Sequence, residues 1–427
     1  MTENRLETTA LHTDKYEFTM LDTAINADKA FHRAVFEVFT RSLPQGRKYG
    51  IVGGQQRLLE ALSRFKFSKA DISFLRRANF LSERTIGYLE SFEFHGTITG
   101  LPEGSFYFGG TPILKIEGTF AECLIIETLV LSILNFDSAL AAAGERMVRA
   151  ANRRPIIEMG SRRIHEEAAL AAARIGYIVG MASTSNLGAA RIYNIPASGT
   201  AGHALVMAFE NQIEAFHAQA MTLGASSTFL VDTYDQDSGI LDAIMACDGE
   251  PGAIRIDSGD LFEGATNARQ LLDSKGAKST RIIVTGDLDE FEIQRLRDAP
   301  IDGYGVGTRF VIGSGHPSAN LVYKLSEIEV NGEMVGVSKA SIGKETIPGS
   351  KKVTRHFDQD GRFIAESIAP TATESSQNQY FMASSAIDPY VTFIERGRIS
   401  FGLSIEKIRS FHANQMKALE RFVELND

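Results

Sequence analysis

TFLVD (228–232), AIRID (253–257), RIIVTG (281–286) and GYGVG (303–307) decide how this chain folds. Each is a short apolar run that ends in a polar residue or a glycine. Three earlier runs repeat the design: PIIE ending at Glu158, YIVGM at Met181 and IPASG at Gly199. Helix-like segments lie between them, including SRRIHEEAALAAARIG (161–176), NLGAARIYN (186–194), ENQIEAFHAQAMTLG (210–224), SGILDAIMACD (238–248) and DEFEIQRLRDA (289–299). Strands alternating with helices at roughly 20–30 residue spacing imply βα units and a parallel sheet. Seven such units without a reversal signal favour an irregular parallel βα barrel, closed or nearly so. A doubly wound sheet is the main alternative.

Outward from this region the texture changes. From about 31 to 120, strand-like runs at 34–39, 95–100 and 112–120 mix with helical stretches near 53–64 and 84–91. After about 320, YKLSEIEV, GEMVGVSKAS and KKVTRHFD suggest hairpins with turns at Asn331-Gly332 and Asp360-Gly361. The end, SIEKIRSFHANQMKALERFVEL, has the spacing of an amphipathic helix. The fold class expected is therefore α/β: a barrel of about seven strands at 146–320, plus a sandwich-like α+β domain built from both chain ends. In that division 1–145 form the N-terminal α+β part, and 321–427 pack back on it.

Composition narrows the function. Of 427 residues, 44% are hydrophobic and 23% charged, as in ordinary globular chains. The net charge of −9 argues against a general nucleic-acid or anionic-membrane binder. Two cysteines, Cys123 and Cys247, cannot build a disulfide framework or a four-thiolate zinc site. The polar, acidic start lacks a signal-peptide core. The most apolar stretch, 124–136, contains Glu127 and falls short of the roughly 20 residues a membrane span needs. A cytoplasmic, soluble protein is expected, with 124–136 as a buried core helix.

In βα barrels, reactive groups sit at the carboxyl ends of the strands. Those ends here carry Glu158, Arg162, Arg163, Ser185, Asn186, His203, Asp232, Arg255, Asp257, Ser258, Asp260 and Asp287. In IRIDSGDL (254–261), Arg255 and Asp257 share a strand face, and Asp257 and Ser258 stand at an expected helix start. A carboxylate there can accept from vicinal sugar hydroxyls or hold Mg²⁺ through water. In GYGVGTRFVIGSG (303–315), Gly305, Val306, Gly307 and Thr308 offer backbone N–H groups that can wrap a phosphate. Arg162 and Arg163 stand where a helix is expected to start. Arginine opposes the helix dipole there, so these two are either solvated or aimed at an anionic ligand. His203 sits in ASGTAGHALV (197–206) between small residues, and a neutral imidazole can act as base or as nucleophile toward a phosphoryl group. Near the N-terminus, Asp14, Tyr16, Arg41, Arg47 and Lys48 can supply stacking and anion contacts. No direct protein ligand to a metal is assigned.

Taken together, TDKYEFTM (13–20), EMGSRR (158–163), STSN (183–186), GTAGH (199–203), IRIDSGDL (254–261), YGVGT (304–308) and VYKLSEI (322–328) resemble the motifs of the nicotinate phosphoribosyltransferases, among the type II phosphoribosyltransferases. The resemblance implies ATP-assisted transfer of 5-phosphoribose from 5-phosphoribosyl 1-diphosphate to nicotinate, with Mg²⁺, in NAD salvage. It makes His203 the residue transiently phosphorylated by ATP. Asp257 would meet the ribose hydroxyls, Gly305 to Thr308 the 5′-phosphate, and Arg162 and Arg255 the substrate anions. Tyr16 would stack on the pyridine ring from a neighbouring subunit, so a homodimer with shared active sites is implied. Two positions depart from relatives that use the amide. Met159 stands where they carry a phenylalanine, and Ser185 where they carry an aspartate, which would repel nicotinate. The acid is the expected substrate. Nicotinamide or quinolinate, or a non-catalytic nucleotide-binding role, are the alternatives.

Overall fold

The computed structural model describes residues 8–339, 347–371, 383–400 and 402–420. Parts of GEMVGVSKAS and of the terminal helical stretch lie outside the described residues. The chain forms two compact units, one from 1–139 with 318–427 and one from 140–317. The helix Glu127–Ala150 contains the point where the chain passes from the first to the second.

In the first unit, Arg33–Thr40 is an inner strand, third in order, of a seven-stranded antiparallel sheet. All but its first residue are buried, which suits VFEVF, rich in β-branched and aromatic side chains. It pairs on one side with Leu321–Val330 and on the other with Leu114–Thr119, so both chain ends share one sheet. Phe36 packs on Tyr323 at 5.0 Å between ring centres, and the Tyr323 hydroxyl donates to the Cys123 carbonyl at 2.7 Å. Glu37, fully buried in this strand, pairs with Lys351. Leu321–Val330 turns back into Glu333–Gly336 through Asn331 (φ 53°) and Gly332 (φ 87°). Two left-handed residues make the turn whose twist matches a hairpin, as the Asn-Gly pair predicts. Residues of the apolar stretch 124–136 belong to the core, and 67% of the most apolar window of Phe120–Ala150 is buried. This is the one helical stretch among the described residues long and apolar enough to cross a membrane.

The second unit is built on a six-stranded sheet. Its spatial order is Ser183–Thr184, Ile156–Glu158, Gly303–Val306, Arg281–Val284, Ala253–Ile256 and Thr228–Leu230, every pairing parallel. The last strand in sequence thus pairs with the first, as barrel closure requires. The seventh place holds only a one-residue parallel bridge between Thr184 and Ala197. Two expectations change here. IPASG makes that single bridge rather than a strand. YIVGM makes none, because Tyr177 and Ile178 complete the helix Glu166–Ile178, whose buried Ala169, Ala172, Ala173 and Gly176 continue at helical spacing. The short strand follows it instead, at Ser183–Thr184.

Candidate active site

The carboxyl ends of these strands surround a cleft of about 780 Å³. It is lined by Met159, Arg162, Arg163 and Ser185 from the first two strand ends, and by 199–204 from the loop after the bridge. Arg255, Asp257, Thr285–Asp287, Gly305, Gly307 and Thr308 complete it. A hollow of about 830 Å³ in the first unit is lined by Phe65, Phe67 and Phe92 and by none of the motif residues named above, so the chemistry gathers in the cleft.

His203 opens the short helix His203–Met207. Its Nδ1 lies 3.1 Å from the Thr233 hydroxyl, and its Nε2 faces Asp257 Oδ2 at 3.7 Å. Its side chain remains 39% exposed, enough for a ligand to reach it. A Cβ added at Gly199 or Gly202 would meet nothing within 4 Å, so the loop leaves open space beside the ring. Asp257 is held from two sides. Its Oδ1 accepts from the Thr285 hydroxyl, and its backbone N–H donates to Asp232 Oδ2 at 2.7 Å.

Arg255 reaches the cleft from the strand Ala253–Ile256 and donates to the Thr200 hydroxyl. Its Nε is buried without a partner among the described residues. Burial pushes this guanidinium below its ordinary value, Asp257 and Asp232 oppose the shift, and Arg162 adds to it. Two cations this close, one with an unused buried donor, create demand for an anion between them.

The remaining candidates fall into different places. Gly305 lines the cleft, but a Cβ there would also come within 2.5 Å of Thr285 Cγ2 and 2.9 Å of Met159 Sδ, so close packing alone requires glycine. Val306 is buried in its strand, and its carbonyl accepts from Met159 N–H at 2.7 Å. Asn186 does not line the cleft. It caps the helix Leu187–Tyr193 through Ala189 N–H and donates to the Ser161 hydroxyl at 2.9 Å. Ser258 likewise turns to Asp232 Oδ2, at 2.6 Å. The expected caps Asp257 and Ser258 are replaced by Asp260, which accepts from Phe262 and Glu263 N–H groups. Arg162 and Arg163 stand in a single 3₁₀ turn, Ser161–Arg163, ahead of the helix that begins at Glu166. No α-helix starts at these arginines, so no helix dipole opposes their charge there.

Asp14, Tyr16 and Arg41 belong to the first unit. Asp14 precedes the helix Lys15–Asn26, Tyr16 is 44% exposed, and Arg41 has a buried Nε without a partner among the described residues. Among the described residues no group of three or more His, Cys, Asp or Glu can hold a metal ion. Reading strand ends missed Thr200, Thr233 and Thr285, which hold the charged residues in place. The available signal was a hydroxyl residue inside a glycine loop or directly after an apolar run.

Residues 11–135 match the nicotinate phosphoribosyltransferase N-terminal domain, and residues 155–375 match the nicotinate phosphoribosyltransferase family. A nicotinate phosphoribosyltransferase of Mycobacterium tuberculosis is 51% identical over 368 residues, covering 84% of this chain and 81% of its own. One from Bacillus subtilis is 37% identical, covering 83% and 76%. The crystal structure of human nicotinic acid phosphoribosyltransferase shares the fold, with a TM-score of 0.82 at 22% identity over 95% of this chain and 94% of that one. With both family regions matched, and relatives this similar along most of their length, the chain belongs to the nicotinate phosphoribosyltransferase family.

Proposed function

We propose that this chain transfers 5-phosphoribose from 5-phosphoribosyl 1-diphosphate to the ring nitrogen of nicotinate, releasing pyrophosphate and nicotinate mononucleotide for NAD salvage. The observation that carries the reading is one cleft lined by His203, Asp257, Arg255, Arg162, Gly305, Gly307 and Thr308. The pyridine lone pair attacks C1 of the ribose while the C1–O bond to pyrophosphate breaks. Positive charge builds on the sugar and negative charge on the leaving group, so stabilising that separation is the main task. The nucleophile brings no proton, and a general base is unnecessary. Asp257, steadied by Thr285 and Asp232, accepts from the ribose hydroxyls. Arg255 and Arg162 take up the anions, and the Gly305–Thr308 backbone receives the 5′-phosphate.

His203 is the group proposed to accept the γ-phosphoryl of ATP: an N–P bond forms as the terminal P–O bond breaks and ADP leaves. Thr233 and Asp257 hold the ring for that attack. The donor set suits Mg²⁺ carried in on the diphosphate, since one or two carboxylates such as Asp257 and Asp287 complete such a site and a three-ligand cage is not needed. Magnesium there would neutralise charge on the leaving group. A second copy of the chain is proposed to bring Tyr16 over the ring. Supporting an assembly, Leu187, Ile192, Met207, Met221, Leu223 and Tyr234 of the second unit are all more than half exposed.

Pyrophosphate release with nicotinate, with and without ATP, tests the reading. Turnover with nicotinate, raised by ATP, is expected, and none with either mixture would overturn it. Labelled ATP should leave an acid-labile phosphoprotein that His203→Ala abolishes. An active wild type without label would remove the phosphohistidine step.

A further inference from the structure

Glu158 ends the first strand of the barrel and is 1% exposed. Among the described residues its carboxylate has no cation partner. Burial raises its pKa, and hydrogen bonds from Thr184 and Gly160 oppose the shift. Oε2 accepts from the Thr184 hydroxyl and Oε1 from the Gly160 N–H, both at 2.5 Å. Its own carbonyl accepts from Ser185 N–H at 2.8 Å. The Thr184 hydroxyl, donating to Glu158, accepts in turn from Asn186 N–H at 3.0 Å. Asn186 then reaches Ser161, next to Gly160, and closes a ring of bonds. Gly160 is pressed from the other side as well: a Cβ there would lie 2.2 Å from Val311 Cγ1 and 3.3 Å from the Gly307 carbonyl oxygen.

Two cleft-lining turns therefore hang on one buried side chain. One carries Arg162 and Arg163, and the other carries Ser185. A carboxylate buried without a counter-charge is costly, and an apolar residue could have filled the strand end. What a carboxylate adds is two acceptors at a fixed spacing. We infer that Glu158 is a positioning residue for substrate choice, setting the distance between the arginine turn and Ser185 so that an anionic pyridine, rather than its neutral amide, fits between them. Neither Glu158 nor Thr184 lines the cleft, so they act through the two turns. The inference rests on the proposed function and refines it.

The experiment measures kcat/KM for nicotinate and for nicotinamide in wild type and in Glu158→Gln, Thr184→Val, Thr184→Ser and the Gln/Val double variant. Wild-type turnover of nicotinate tests the activity itself, so its absence would count against the proposed function alone. Given that activity, Glu158→Gln and Thr184→Val should each lower the nicotinate-to-nicotinamide ratio by about tenfold, the scale of one buried hydrogen bond lost. The change should sit mainly in KM for the pyridine. The double variant should be no worse than the worse single one, since both remove the same bond. Thr184→Ser, which keeps the hydroxyl, should retain the wild-type ratio, and it keeps the test open if Glu158→Gln does not fold. A ratio unchanged in Thr184→Val, or effects that simply add, would overturn the inference.

Discussion

Glu17 shows how one buried acid ties stability to pH. It lies in the helix Lys15–Asn26, fully buried, and accepts from the Thr13 hydroxyl and from both the hydroxyl and the N–H of Thr128. Burial outweighs those bonds and pushes its pKa up from 4.5 to about 7, with Glu127 and Asp14 adding to the rise. Below pH 4.5 the acid is protonated whether the chain is folded or not. Between there and about pH 7 the folded chain keeps a proton that the unfolded chain has released. Stability therefore falls as pH rises through that window and levels off above it, by on the order of 3 kcal/mol. Thermal unfolding of wild type should lose several degrees between pH 5 and pH 8, and Glu17→Gln should lose less. A residual slope belongs to Glu127 and Glu158, which burial also raises. Identical slopes in the two proteins would show that Glu17 does not titrate in this range.

The helices of the barrel unit lean on their strands through particular glycines. In Gln236–Ala246, a Cβ on Gly239 would sit 2.0 Å from the Val231 carbonyl oxygen, one residue before Asp232 and two before Thr233. Backbone cannot swing aside as a side chain can, so Gly239→Ala must push the helix off the strand end. A cost of about 1–3 kcal/mol follows, together with slower turnover as Thr233 moves away from His203. Gly264 is the contrasting case. In Leu261–Ser274 its nearest neighbour is the flexible end of Gln236, at 3.1 Å, and Gly264→Ala should be neutral or stabilising by up to about 1 kcal/mol. Denaturant unfolding of both variants checks this, and equal effects would discredit the packing explanation. These contacts also mark a limit of sequence reading. Gly239 in SGILDAIMACD reads as a mild helix weakener, because nothing local says that a carbonyl lies against it. Helix and strand positions were legible where spacing was regular. YIVGM misled because an apolar, β-branched run can also finish a buried helix, and only packing separates the two.

Across the whole chain, the parallel architecture was legible because each βα unit is local and repeats. The antiparallel sheet was harder, since Ala34 pairs with Ile328 and no local pattern specifies so distant a register. Most cleft-lining groups were legible for the same reason as the barrel: they follow strand ends. Asn186 caps a helix and Ser258 braces Asp232, roles that a polar residue after a strand can take as readily as lining a cleft. The sheet's opening has a dynamic consequence. Gly303–Val306 and Arg281–Val284 are each paired on both sides, whereas Thr228–Leu230 pairs on one side and Ser183–Thr184 has only the Ala197 bridge beyond it. The loop carrying His203 hangs in that interval, between the bridge and the strand Thr228–Leu230. Local opening is easiest where backbone hydrogen bonds are few. Amides in 281–284 and 303–306 should therefore exchange with solvent slowest in this unit, and those in 199–205 at least about tenfold faster. Adding 5-phosphoribosyl 1-diphosphate should slow 199–205 selectively, because the anion would engage Arg255, which already binds Thr200, and so tie the loop to the closed side of the sheet. Hydrogen exchange read by mass spectrometry resolves these segments. If 199–205 are as protected as the central strands before the sugar phosphate is added, or are untouched by it, the open side of the barrel is not where the site takes shape.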